Sequence, residues 1–121
     1  SSTHTPDMQQ ARRRAIADHG VLPAPDPALF GLDGADRAWV ARRQTAHPGG
    51  VYDTPLPFDA GRLADVPRSF IDCHAPALPT IDTSRQRVRT DTGWAVHELA
   101  TGHLPMVSAP QDLAGLLLRL A

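Results

Sequence analysis

The sequence contains no lysine, a single cysteine (Cys73), and only 5% aromatic residues. A lone cysteine excludes an internal disulfide and points to a reducing, cytoplasmic setting. Scarce aromatics imply an aliphatic core. Charge of either sign is not in excess: 12 basic residues, all arginine, face 13 acidic ones. That balance removes the electrostatic footprint expected of a nucleic-acid or anionic-membrane binder. No apolar run approaches the roughly 20 residues of a membrane span, and the opening residues lack the charged-then-apolar order of a signal peptide. Ser1-Ser2-Thr3-His4-Thr5 also begins without methionine, and the stretch is expected to be the interior of a longer chain.

What is present is a chain of 121 residues with room for one small domain, and 12 prolines that break it into short elements. Thr5-Pro6-Asp7 predicts a helix start and Gly20 its stop, with Met8, Ala11, Ala15 and Ile16 as a narrow apolar stripe. The Arg12-Arg13-Arg14 run reads as a solvated helix face. Pro23, Pro25 and Pro27 make the stretch from Val21 to Phe30 an extended loop whose Ala28-Leu29-Phe30 end is apolar enough to dock. A second helix is predicted from near Asp33, with Asp36 three residues on, carrying Ala38, Trp39 and Val40, and Trp39 is expected to bury its ring. Residues 46–59 are rich in proline, glycine and aspartate and predict a crossing loop without elements. The first 60 or so residues therefore read as a lid.

The pattern then changes. Arg68-Ser69-Phe70-Ile71-Asp72-Cys73 and Trp94-Ala95-Val96-His97-Glu98-Leu99 read as strands, with Asp82-Thr83-Ser84 capping a short helix between them. Strand, helix, strand predicts a parallel pair. Two parallel strands do not make a free-standing sheet, so further strands are expected from elsewhere. Beyond the second strand, Ala100-Thr101-Gly102 turns the chain and His103 follows, flanked by Leu104-Pro105-Met106. Such an apolar surround favours a neutral imidazole able to take a proton. Ser108 and Gln111 read as a capping box opening a last helix, with Leu113, Leu116, Leu117 and Leu120 on one face.

Taken together, Val66 to Cys73, Trp94 to Met106 with its Thr-Gly-His-Leu-Pro-Met core, and Pro110 to Ala121 resemble the C-terminal part of an α/β-hydrolase. The resemblance is to the compact esterase group that includes methyl-ester esterases and hydroxynitrile lyases. Asp36 to Arg43 and His47 to Pro57 are similar to the cap those enzymes place over the pocket. The resemblance implies an α/β fold in two parts, a helical cap over residues 1–62 and a βαβα core portion over 63–121, the sheet being completed by an N-terminal half.

It also implies a serine hydrolase acting on a small ester, thioester or lactone, with no cofactor and no metal. His103 would be the general base of a Ser-His-Asp triad, and Trp39, Leu104 and Met106 would wall an apolar substrate pocket. The Gly-x-Ser-x-Gly elbow of such enzymes is absent from this chain, so the nucleophile is expected on a separate or cleaved partner. Relatives place the triad acid just beyond the cysteine-containing strand, where this chain has His74-Ala75-Pro76-Ala77. Asp72 is the nearest substitute and Asp82 a more distant one, although an aspartate at a strand end also serves backbone amides. The spacing of His74, His97 and His103 matches no standard zinc arrangement, and His97 reads as a sheet-face residue beside a helix. Two other readings stay open. One is a non-catalytic, hydrolase-derived interaction module that recruits a strand at the edge beside Arg68 to Cys73, and the other is a lyase on the same fold.

Overall fold

A computed structural model describes residues 6–121, so the predicted cap residue Thr5 lies outside the described residues. The chain divides into two compact units, one formed by residues up to 25 with 44–66 and the other by 26–43 with 67–121. This division departs from the expected boundary at 62/63. The second helix falls in the same unit as the strands, with Val40 buried, and it packs on the 3-10 turn over Pro27–Phe30.

In the first unit, helix α1 (Pro6–His19) has Asp7 in its first turn, where the acid complements the helix dipole, and His19 in its last. It ends at Gly20, which takes a left-handed φ of 71° and donates its N–H to the Ile16 carbonyl at 2.7 Å. Strand β1 (Val21–Leu22) then pairs antiparallel with β2 (His47–Pro48), two residues each, in stretches where loops were expected. Gly49 is required there for close approach, since a Cβ would stand 2.5 Å from Ile16 Cγ2. One turn of helix, α3 (Gly50–Asp53), follows. Leu56, Phe58, Leu63 and Val66 are all exposed, and among the described residues this unit buries no large apolar side chain.

The second unit opens with a 3-10 turn over Pro27–Phe30. The Asp26 carboxylate caps it by accepting from the Ala28 N–H, and Gly31 at φ 85° closes it. Asp26 also holds Arg37 through a two-point contact. That guanidinium, then the Ala28 N–H, keeps the Asp26 carboxyl below its ordinary range. Helix α2 spans Gly34–Arg43. Strands β3 (Arg68–Cys73) and β4 (Trp94–Leu99) run parallel in register from Arg68 opposite Trp94 to Cys73 opposite Leu99. Helix α4 (Asp82–Thr90) makes the crossover and packs on β4 with Val88 buried. Asp82 is its first residue rather than a side-chain cap, and accepts from Arg85 instead.

Two helices close the unit: α5 (Pro105–Ser108) and α6 (Pro110–Leu120). Ser108 ends α5, so the predicted capping box does not form and Ala109 stands at the start of α6 with no side-chain cap. Leu116 is buried and Leu113 half-buried, whereas Leu117, Leu118 and Leu120 remain exposed. The buried apolar side chains of this unit include Leu32, Val40, Val88 and Leu116.

Candidate functional site around His103

The carboxyl ends of β3 and β4 are laced together by backbone hydrogen bonds. His74 N–H donates to the Leu99 carbonyl at 3.3 Å and Ala75 N–H to the Thr101 carbonyl at 3.0 Å. Thr101 N–H turns back to the Leu99 carbonyl at 2.9 Å, which bends the chain sharply after β4. His103 N–H then donates to the Phe30 carbonyl at 3.1 Å, fixing the loop to the 3-10 turn.

Gly102 is buried at that junction. Its φ is not in the left-handed region, so it is not there to permit a turn. A Cβ on Gly102 would stand 2.4 Å from the Phe30 carbonyl oxygen, and glycine is needed for that approach. Gly31 lies on the same seam, where a Cβ would meet Pro76 Cδ at 2.8 Å.

The His103 ring is half-buried beside the Phe30 ring, with centroids 5.7 Å apart and planes tilted by 32°. Its apolar neighbour is therefore Phe30, from a distant part of the sequence, in addition to the adjoining Leu104 and Pro105. Behind the loop, Ser108 Oγ donates to the Leu104 carbonyl at 3.3 Å, which leaves the Thr101 hydroxyl to donate to Ser108 Oγ. Those two hydroxyls brace the segment on both sides of His103. Both of their hydroxyl protons are used within the loop itself.

Asp72 is the most buried side chain of the unit, at 1% exposure, and both of its oxygens are taken. Arg85 Nε donates to Oδ1 at 2.7 Å and Arg85 Nη2 to Oδ2 at 3.1 Å. Arg89 Nη2 reaches Oδ2 as well and also donates to Glu98 at 3.1 Å. The Arg85 guanidinium above all, with Arg89 behind it, holds the Asp72 carboxyl below its ordinary range against the opposing effect of burial.

No hydrogen bond joins Asp72 to His103 among the described residues. Asp72 as seen here is a buried counter-ion for α4 and does not orient the imidazole. The sequence shows Arg85 and Arg89 at an i, i+4 spacing on one helix, but not that this face lands on Asp72. Next to it, burial and then the Asp72 charge push the Cys73 thiol up, which disfavours the thiolate.

Of the expected pocket residues, Trp39 and Met106 come together. They line an open groove of about 390 Å³ with Ala35, Asp36, Arg42 and Val107. Leu104 is half-buried and is not part of that lining. Trp39 does not bury its ring as expected. It stays 44% exposed, with the Arg43 guanidinium 4.2 Å over one face, because Val40 takes the core-facing position of α2.

The other histidines are scattered. His74 is exposed, His47 lies edge-on to Tyr52, and His97 is half-buried with its Nε2 unpartnered. Among the described residues no group of three or more histidine, cysteine or acidic side chains is placed to hold a metal ion. No helix there is long and apolar enough to cross a membrane. Comparison of the chain with family models, with curated proteins and with solved structures finds no match.

Proposed function

We propose that the chain supplies the general base and part of the substrate-binding surface of a serine-esterase-type hydrolase. Its substrate would be a small ester, thioester or lactone. The nucleophilic serine would come from a separate part, the N-terminal half of the same fold, which would also extend the β3–β4 sheet.

The observation that carries this reading is the placement of His103. It follows the carboxyl end of a parallel strand, where open α/β sheets bind ligands, and its backbone is pinned by the Phe30 carbonyl. A base so held presents its ring at a fixed place. It would take the proton of a serine hydroxyl as the acyl bond forms and return it to the leaving oxygen or sulfur. Further support comes from the two-stranded parallel pair, which needs neighbours to be stable. The exposed Leu117, Leu118 and Leu120 of α6 point the same way. The orienting carboxylate, which Asp72 is not free to provide, would come with the nucleophile.

The test starts from the protein as isolated with everything that copurifies. Treatment with a fluorophosphonate followed by intact-mass analysis under denaturing conditions is expected to label a second polypeptide and leave this chain unlabelled. In the same assembly, His103→Ala should cut turnover of an activated ester by about 10⁴-fold or more, the scale seen when a triad base is disabled. Turnover that survives the substitution removes His103 from the base role.

A second reading, a non-catalytic interaction module derived from a hydrolase, is favoured by one observation. The Asp72 carboxylate is committed to Arg85 and Arg89, and Pro76 stands in the stretch where the acid of the resembled family belongs. A folded monomer inert toward activated esters at every protein concentration, with no labelled partner, selects this reading.

A further inference from the structure

We infer that the groove between α2 and α5 binds a linear zwitterion with an apolar middle, of which a short apolar peptide with free termini is the simplest example. This inference stands on those two helices alone and holds whether or not His103 is a base.

Three features of the groove argue for it. First, its walls are mixed: Trp39, Met106, Val107 and Ala35 are apolar, and Asp36 and Arg42 carry opposite charges. Its volume of about 390 Å³ suits a small ligand. Second, among the described residues neither the Asp36 carboxylate nor the Arg42 guanidinium has an ion pair or a side-chain hydrogen bond; the pairs on neighbouring positions are Asp26–Arg37 and the stacking of Arg43 on Trp39. Both charges complement the α2 dipole, which accounts for their presence at those ends. It does not account for a tryptophan left 44% exposed between them, or for Met106 left 57% exposed opposite.

Third, the spacing suits a ligand of about tripeptide length. Asp36 and Arg42 lie six residues apart on α2, about 9 Å along the axis, with Trp39 midway. An extended tripeptide spans about 10 Å. Its ammonium group would meet Asp36 while its carboxylate takes two N–H donors from the Arg42 fork. Apolar side chains between them would lie on the indole and on the adaptable Met106 thioether. The polarity is set as well: amino end toward the start of α2, carboxyl end toward its finish. A single amino acid, whose two charged groups share one carbon, spans far less than this rise.

The test uses Trp94→Phe, which leaves Trp39 as the only tryptophan, and titrates its fluorescence with trileucine, N-acetyl-trileucine and trileucine amide. Free trileucine should give a saturable change, and each blocked form should bind about threefold to fivefold more weakly, the scale of one exposed ion pair. Asp36→Asn should abolish the effect of acetylation alone, and Arg42→Gln the effect of amidation alone. Calorimetry on the unaltered chain gives the same comparison without the reporter substitution. Free and blocked peptides that bind equally, or no saturable response up to about 10 mM by either method, overturn the assignment.

Discussion

A carboxylate inside a strand has to be explained by what neutralises it, and Asp72 sets the clearest prediction at the scale of one residue. Its folded-state carboxyl lies below the ordinary value of 3.8, chiefly because Arg85 and then Arg89 favour the charged form. A depressed acid contributes its full stabilisation above the unfolded value and loses it as pH falls through the folded one. Stability measured by urea titration should therefore be flat in this respect above pH about 4.5 and decline below about 3.8. Asp72→Asn should remove that part of the acid dependence. It should also lower stability at pH 7 by about 3 kcal/mol, near the low end for breaking a buried pair, because Arg89 remains 43% exposed and can turn to water. An unchanged acid midpoint in the variant would assign the acid dependence to other carboxylates. Asp72 was visible in the sequence as an anomaly, but its partners were not. Strand alternation says that a polar residue sits at a strand end, whereas the choice between an orienting role and a counter-ion role depends on which helix face lands opposite. Trp39 shows the same limit: size argues for burial, yet the core-facing position of α2 went to its neighbour Val40.

Among elements, the longer ones were legible and the short ones were not. Both six-residue strands, their parallel pairing and the crossover helix follow from alternation and chain order, and the structure has them at Arg68–Cys73, Trp94–Leu99 and Asp82–Thr90. Two-residue strands and one-turn helices such as His47–Pro48 and Gly50–Asp53 carry no periodicity to read. The capping box at Ser108 failed for a local reason. Pro105 starts a turn of its own, so the Ser108 hydroxyl faces back to the Leu104 carbonyl and Thr101 instead of forward to Gln111. The His103 loop was placed after its strand from sequence, but its anchor, the Phe30 carbonyl, is a long-range contact. That anchor is testable through Gly102. A methyl group there would meet a backbone oxygen at 2.4 Å, which cannot swing aside as a flexible side chain can. Gly102→Ala is expected to lose about 1–3 kcal/mol of stability, the range for overpacking, and to broaden or shift the His103 imidazole signals in NMR spectra. An imidazole spectrum unchanged from the parent would mean that the loop takes its position from the Thr101–Ser108 hydroxyl pair alone.

Across the whole chain, cohesion is divided unequally, and the division can be measured. The unit built from 26–43 and 67–121 holds the buried Leu32, Val40, Val88 and Leu116, the Asp72 ion network and a six-residue parallel ladder. The unit built from α1 and 44–66 has a two-residue ladder, a glycine pressed on Ile16 and surface contacts such as Arg12 over the Tyr52 ring at 4.5 Å. Apolar burial is the main source of folding free energy, at about 25 cal/mol per Å² removed from water. A unit that buries no large apolar side chain opens at little cost. Native-state hydrogen exchange should therefore find the β3 and β4 amides among the slowest in the chain and the α1 and β1 amides among the fastest, separated by about two orders of magnitude or more. The slow set should also include His103 N–H, whose acceptor is the Phe30 carbonyl. If a partner completes the sheet and covers Leu117, Leu118 and Leu120, exchange within α6 should slow on its addition while α1 keeps its free rate. Equal protection in the two units without any partner would instead place the source of cohesion outside apolar burial, in the backbone and ionic contacts that both units share.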